Sequence, residues 1–373
     1  MRFPIARPDL DGNEREYVAQ AVAEGQISSV GRFVKSFEAA CARAIDVPHA
    51  VTVSNGTAAL HLTLTALGIG PGDEVIVPDL TYVATANAVT YTGARVVLVD
   101  VDPKTWTVDV GLVEKALSRR TKAIIAVHLY GMPADLDGLA QLARRRGVAL
   151  IEDAAQAFHA RWNGRYVGAI GDAACFSFFG NKIVTTGEGG LVTTRSARLA
   201  ARLYHLRDQA MSSTRRYFHS GVGFNYRMTA LQAAVGLAQL ERVGEFLARR
   251  EAIRASYRNW LADVPGLREP APDPRAHPVT WLYTFQLAAW TRHERDRCMA
   301  LLQQRGIDSR PGFVPMSRLP MYRRPGYRVA ERISAQSLSL PTHTGMSDDD
   351  VRIIAEAFKE VAQQPQGCGK MLG

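Results

Sequence analysis

Between residues 49 and 194 the chain alternates short, uninterrupted apolar runs with longer amphipathic stretches. The runs cover residues 49–53, 75–77, 95–99, 123–127, 148–151, 174–178 and 190–193. They are rich in β-branched residues and lack the polar alternation of a half-exposed strand, so they predict strands covered on both faces. Helical stretches between successive runs predict a mostly parallel sheet, an α/β fold. Ahead of this region, residues 9–25 read as an amphipathic helix ending near Gly25. The polar loop at 26–33 follows, then a second helix from about Val34. An irregular aromatic and basic stretch at 215–228 leads into a long helical region over 229–262. Its stripe is Leu231, Ala234, Leu237, Leu240 and Val243. Pro265, Pro270, Pro272 and Pro274 mark a loop at the edge of a smaller C-terminal α+β unit: a strand at 280–287, a helix at 295–305 and a last helix. Ser347 and Asp350 open that last helix in a capping-box arrangement, and Val351, Ile354, Ala355 and Phe358 form its buried stripe. The expected division is 1–245 for the large domain with its N-terminal helical arm and 246–373 for the small one, with a frayed tail from Gln363.

Composition narrows the class. With 47% apolar and 22% charged residues the chain matches soluble globular enzymes. No apolar run is long enough to span a bilayer, and the start lacks the apolar segment of a secretory signal. A cytoplasmic protein with no membrane partner is the expectation. Cys41, Cys175, Cys298 and Cys368 are scattered without a Cys-x-x-Cys pair, which fits reduced thiols and no zinc or other metal site. The net charge of +9 comes from basic residues spread along the chain. No aromatic-interleaved basic stripe appears, so a phosphate-bearing small molecule, rather than nucleic acid, is the expected anionic partner.

In a parallel α/β sheet, ligands gather at the carboxyl ends of the strands. The first run ends in Ser54-Asn55-Gly56-Thr57. Small residues at a helix start either offer free N–H groups to a phosphate or simply cap the helix. No Walker-type lysine accompanies them, so a nucleoside triphosphate loop is not supported. Tyr82 follows the second run, where its ring can stack on a flat ligand or pack beneath its own loop. The fourth run leads into His128-Leu129-Tyr130-Gly131. The fifth ends in Glu152-Asp153-Ala154-Ala155-Gln156. A carboxylate there can hold a heteroaromatic nitrogen protonated, because pairing stabilises both charges, or it can cap the next helix. The sixth delivers Ser177-Phe178-Phe179-Gly180-Asn181-Lys182, then Thr185-Thr186-Gly187-Glu188-Gly189-Gly190. A lysine between aromatic and glycine-rich segments suits a desolvated cleft in which its neutral amine can form a Schiff base. Asp153 precedes it by what reads as one strand-helix unit, so both can reach one cleft. Together these strand-end features describe a site for pyridoxal phosphate (PLP).

With the loop Ile27-Ser28-Ser29-Val30-Gly31 and the stretch Gly223-Phe224-Asn225-Tyr226-Arg227-Met228, these segments resemble the sugar aminotransferases of the DegT/DnrJ/EryC1/StrS family. The resemblance runs from residue 3 to 362. It implies fold type I of the PLP enzymes, the aspartate aminotransferase-like fold, and an active homodimer with shared sites. It implies that Lys182 carries the cofactor as a Schiff base and then acts as general base and acid. Asp153 would pair with the ring nitrogen, Gln156 would contact the ring's phenolic oxygen, and Tyr82 would stack on its face. Gly56, Thr57 and Ser177 would hold the phosphate, with Asn225 arriving from the partner subunit. Ser28, Ser29, His219 and Arg310 are candidates for the sugar-nucleotide side.

The implied reaction moves an amino group from an amino acid, glutamate in the family, to a keto group of a nucleotide-linked deoxysugar. Arg216-Tyr217-Phe218-His219 and Ser309-Arg310-Pro311 look most like the branch that forms GDP-perosamine from GDP-4-keto-6-deoxy-D-mannose. Amination at C3, as for a mycosamine-type product, or of a cyclitol or antibiotic ketone, is the alternative. A non-catalytic PLP-binding regulator is a more distant one. Lys182 argues against the deoxygenating relatives, which carry His at that position. Two departures from the family pattern, Gly312-Phe313 and Phe158-His159, are expected to bear on the substrate pocket.

Overall fold

The computed structural model describes residues 1–363; most of the tail expected to fray, and Cys368, lie outside the described residues. The helices are α1 (Glu14–Ala23), α2 (Arg32–Ile45), α3 (Gly56–Ala66), α4 (Ala84–Tyr91), α5 (Val110–Ala116), α6 (Leu136–Arg146), α7 (Ala197–Arg207), α8 (Ala230–Glu241), α9 (Val243–Trp260), α10 (Arg292–Gln304), α11 (Arg328–Gln336) and α12 (Asp348–Gln363). The strands that build the large sheet are β1 (His49–Val53), β2 (Glu74–Pro78), β3 (Arg95–Val99), β4 (Thr121–Val127) and β5 (Ala149–Asp153). After the short strands β6 (Arg161–Trp162) and β7 (Arg165–Tyr166), β8 (Ala173–Ser177) and β9 (Gly190–Thr194) complete it. The C-terminal part contributes β10 (Leu267–Arg268), β11 (Ala276–His277), β12 (Tyr283–Leu287), β13 (Arg310–Pro311) and β14 (Ser337–Leu340).

All seven apolar runs become strands of one seven-stranded sheet in the order β1-β9-β8-β5-β4-β2-β3. The four pairings from β8 to β3 are parallel. β9 is antiparallel to both of its neighbours because a loop without a helix returns the chain directly from β8. That return matters for the chemistry. The loop leaves Ser177 and re-enters at Gly190, which pairs with both Ser177 and Val53. The ends of β1 and β8 and the lysine loop therefore share the carboxyl edge, with Asp153 of β5 beside Cys175. One apolar cluster packs on each face of the sheet. A third forms beneath the four-stranded sheet β10-β12-β14-β13 and includes Phe3 from the chain's start.

Three local expectations change. No helix separates β5 from β8: the connection is a small hairpin, β6 and β7, which is extended by β11. The helical region after residue 229 breaks at Arg242, whose backbone (φ −110°, ψ 8°) caps α8 and starts α9. Arg242 is held there by Asp9 at 2.8 Å and Glu245 at 3.1 Å. β14 and α11 lie in a stretch for which the pattern predicted no element. The Ser347–Asp350 box forms as expected, each backbone N–H reaching the other's side chain.

One buried carboxylate ties the C-terminal part to the sheet. Asp79, just past β2, accepts from the Ser317 N–H at 2.7 Å and the Ser317 hydroxyl at 2.8 Å. Burial pushes its pKa up to about 6, with those hydrogen bonds opposing. An aspartate raised in the folded state binds its proton more tightly there than in the unfolded chain. Its contribution to stability is therefore full below pH 4 and declines as pH rises toward 6. Asp79→Asn removes this titration. We expect the urea midpoint of the natural protein to fall from pH 4 to 6 relative to Asp79→Asn, whose own profile over that window is flatter. Parallel profiles for the two proteins would show that Asp79 does not titrate there.

Candidate active site

The carboxyl edge of the sheet opens into a cleft of about 560 Å³. Its lining includes Asn55, Gly56, Thr57, Tyr82, Asp153, Gln156, Ser177 and Lys182, and from the C-terminal part Trp281 and Phe313. Seven of the eight cofactor-side residues expected from the sequence thus meet in one place.

At one end lies the start of α3. The Asn55 side chain accepts from the Ala58 N–H at 2.8 Å, so this residue does cap the helix. The N–H groups of Gly56 and Thr57, in the first turn, have no intrahelical acceptor and suit an anion. Capping and anion binding are therefore compatible here. Two close approaches require glycine: a Cβ on Gly56 would come within 2.9 Å of Ser177 Cβ, and one on Gly190 within 2.4 Å of the Asn55 carbonyl oxygen. These contacts bring the helix start against the Ser177 end of β8.

Deeper in the cleft, Asp153 is buried. One carboxylate oxygen accepts from the Thr85 hydroxyl at 2.8 Å and the other from the Ala155 N–H at 3.2 Å. Burial raises its pKa, while the Thr85 bond, the Ala155 N–H and the charge of Lys182 pull the other way. A desolvated carboxylate of this kind gains from any cation placed against it. Its neighbour Glu152 has a different fate. Completely buried on the opposite face of β5, it takes His128 Nε2 at 3.1 Å and the N–H groups of Gly168, Ile170 and Gly171. Glu152 organises the β5–β8 connection and does not line the cleft. His128 is accounted for in the same way, its Nδ1 accepting from the Ala134 N–H at 3.0 Å.

Lys182 follows a turn closed by its N–H on the Phe179 carbonyl at 2.9 Å. Burial lowers its amine pKa to about 8, against the opposing charge of Asp153. Gln156 Oε1 accepts from the Tyr130 N–H at 2.6 Å, which orients the amide toward the cleft wall. Tyr82 is 56% exposed at the mouth, its ring 5.8 Å from that of Phe313 and tilted by 57°.

Asn225, by contrast, is exposed and does not line its own chain's cleft; its backbone bridges to Asp208. Nor do the four sugar-side candidates. Ser28 and His219 are exposed, and Ser29 is half-buried in the same surface loop as Ser28. The His219 ring is bonded to the Gln209 carbonyl at 2.8 Å. Arg310 is exposed and paired with Asp308 at 2.6 Å. Of the two departures, only Gly312-Phe313 bears on the cleft. Phe313 lines it, and Gly312 lies so close to α11 that a Cβ would come within 3.2 Å of the Ser334 backbone. Phe158 is instead in the core against Phe176 and Phe178, and burial pushes its neighbour His159 down to about 4. The expectation that this pair touches the substrate pocket is therefore corrected.

Other cleft residues had no role in the sequence reading. Thr85 sits one turn beyond Tyr82 and could have been flagged by that spacing. His61, bonded through Nδ1 to the Tyr226 hydroxyl at 3.0 Å, and Trp281 had no local signal. Among the described residues no group of three or more His, Cys, Asp or Glu side chains could hold a metal ion, and no helix is long and apolar enough to cross a membrane. Cys41, Cys175 and Cys298 are buried free thiols.

An anion-ready helix start, a buried carboxylate and a lysine of lowered pKa surround a cavity of the right chemistry for a phosphorylated pyridine aldehyde. On this sheet order they define a fold type I PLP-dependent enzyme. The comparison with known proteins narrows the class: residues 8–359 match the DegT/DnrJ/EryC1/StrS aminotransferase family, and the chain belongs to it. Members of this family are PLP-dependent transaminases. The chain is 48% identical over 364 residues to a GDP-perosamine synthase of Caulobacter vibrioides (strain ATCC 19089 / CIP 103742 / CB 15), covering 96% of this chain and 98% of the relative. It is 40% identical over 360 residues to a GDP-perosamine synthase of Escherichia coli O157:H7, covering 96% and 98%. The crystal structure of S. venezuelae DesV in complex with a ketimine intermediate superposes with a TM-score of 0.88 at 38% identity, covering 95% of each chain.

Proposed function

We propose that this aminotransferase moves the amino group of L-glutamate to the keto group of GDP-4-keto-6-deoxy-D-mannose, giving GDP-perosamine. The observation that carries the substrate is the 48% identity to a GDP-perosamine synthase, sustained over nearly the whole length of both chains. When bound, PLP supplies an electron sink for a carbanion next to nitrogen. The protein's residues do the rest. Lys182 would form the covalent link, and its amine, once freed by the donor, would serve as the base that takes the donor's α-proton and as the acid that gives a proton back. An amine with a pKa of about 8 is neutral in roughly one molecule in ten at pH 7, enough for a base and still a competent acid. Asp153 would pair with the ring nitrogen and keep it protonated. Gln156 would contact the phenolic oxygen, Tyr82 would stack on the ring face, and Gly56, Thr57 and Ser177 would hold the phosphate, all of them lining the one cleft.

The active form in this reading is a homodimer with shared sites. Ile27, Val30, Tyr217, Phe218 and Val222 are exposed apolar residues flanking Ser28, Ser29, His219 and Asn225. Burying such residues against a second copy would carry those four side chains to the neighbouring cleft. Arg310 stays with its own chain and would meet the sugar nucleotide after releasing Asp308.

The test follows the visible absorbance of the bound cofactor in the purified enzyme. Glutamate should bleach it, and GDP-4-keto-6-deoxy-D-mannose should restore it at least about tenfold faster than dTDP- or UDP-linked 3-keto sugars. A band that no amino donor moves would sink transamination. Faster recovery with a 3-keto sugar would leave transamination standing and move the assignment to C3.

A further inference from the structure

The free amine of Lys182 has a partner that comes from far along the chain. Its Nζ stands 4.1 Å from the ring centroid of Trp281, which lies just ahead of β12. The same indole donates its Nε1–H to the carbonyl oxygen of Asn181, the residue before the lysine, at 2.9 Å. One side chain thus touches both the lysine's tip and its backbone.

Trp281 is itself firmly placed. Its carbonyl accepts from the buried Arg250 guanidinium at 2.7 Å, and the same nitrogen holds the Thr342 carbonyl at 3.0 Å. Its ring stacks on Tyr130 at 6.1 Å and 14°, and Tyr130 stacks on Phe313 at 5.4 Å and 4°. Tyr130 adopts φ +53°, a conformation that non-glycine residues rarely hold. The Gln156 side chain secures its N–H there, and the strained tyrosine presents its face to Trp281.

We infer that Trp281 is the positioning residue for the catalytic lysine: its ring is the resting place of the Lys182 ammonium whenever that amine is not covalently engaged, and its N–H fixes the lysine's backbone. The inference rests on Lys182 being the cofactor lysine. Transamination needs this amine to leave the cofactor, hold a proton nearby and return. A long side chain released into a cleft would otherwise spread over many rotamers. An aromatic face attracts the ammonium and has little hold on the neutral amine, so it retains the acid form and lets the base form move. The other titratable groups facing the cleft are Asp153, His61, Glu188 and the phenols of Tyr82, Tyr91 and Tyr226. Asp153 favours the charged amine as Trp281 does.

Trp281→Leu keeps the site apolar and removes both contacts; Trp281→Phe keeps a ring face and removes only the N–H. In cofactor-stripped full-length protein, the pH dependence of Lys182 acetylation, read by peptide mass spectrometry, gives the amine's proton affinity. We expect Trp281→Leu to lower it by roughly three- to tenfold and Trp281→Phe to recover more than about half of that loss. In the loaded enzyme, Trp281→Leu should lower kcat of the glutamate half-reaction by about tenfold with KM for glutamate within about twofold. An unchanged or increased proton affinity in Trp281→Leu, or a defect confined to KM, overturns the inference. If Trp281→Leu does not fold, Trp281→Met, which also removes the ring face, is read in its place: a fall in affinity supports the contact, and none overturns it. Failure of the lysine assignment would look different, as a borohydride-trapped cofactor on a residue other than Lys182.

Discussion

Lys182→Ala should lose the covalently held cofactor and its visible band, and with them turnover. Loss of proton transfer alone accounts for roughly 10²–10⁴-fold in rate, and loss of the covalent link adds to it. The physical ground is the amine's environment: burial lowers its pKa to about 8, so a nucleophilic fraction exists near neutrality. The fold should survive, since among the described residues Lys182 donates no side-chain hydrogen bond to the core and its amine lies against the Trp281 face. Borohydride reduction followed by peptide mapping provides the check, with the natural protein labelled at Lys182 and the variant unlabelled. Small added amines should restore part of the proton-transfer rate in the variant, which a merely misfolded protein would not allow. A variant that still carries a reducible cofactor would show that another lysine does this work.

Asp153→Asn should weaken cofactor binding by about 2–5 kcal/mol, roughly 30-fold to several thousand-fold, because one member of a desolvated charge pair is removed. The change keeps the side chain's shape and an oxygen for the Thr85 hydroxyl, so loss of charge is the dominant effect. A second consequence has a definite sign. The Asp153 charge raises the Lys182 pKa against burial; without it the amine's pKa falls further, and the rising limb of the half-reaction, on which that amine must lose its proton to act as base, moves to lower pH. Equilibrium dialysis of the cofactor and the pH profile of glutamate-driven bleaching measure the two effects separately. Glu152→Gln is the control, since Glu152 is consumed by His128 and three backbone N–H groups. It should cost stability and leave the pH profile where it is. If Asp153→Asn binds cofactor as the natural protein does, the carboxylate is not the ring's partner.

Much of this site could be read along the chain because its cofactor side is built from strand ends. A strand end, a glycine that permits close approach and a side chain just beyond it are local features, and a sheet of parallel strands brings such ends to one edge. Gly56, Thr57, Asp153 and Lys182 were legible as cleft residues for that reason, and the family resemblance added Gln156 and Ser177. The side of the cleft lined by the C-terminal part was not. Trp281 lies 100 residues from the backbone carbonyl it meets, and nothing near it in the sequence distinguishes a cleft-lining tryptophan from a core one. Phe158 shows the reverse error: a departure from the family pattern next to the Glu152–Gln156 segment turned out to fill the core between Phe176 and Phe178.

The sequence by itself determined that seven buried strands build a mostly parallel sheet and that their carboxyl ends gather the candidate residues, Lys182 among them. These follow from period, composition and turn residues, which act over a few positions. Tertiary structure alone decided the direction of β9, because an antiparallel return depends on a loop too short and irregular to announce itself as lacking a helix. It also gave the physical reason why Asp153, which the family resemblance had already singled out, lines the cleft and Glu152 does not. Successive residues of a strand face opposite ways, so Glu152 and Asp153 had to part. Only packing determined that Glu152 turns toward His128 and the Gly168–Gly171 amides, and Asp153 toward the lysine.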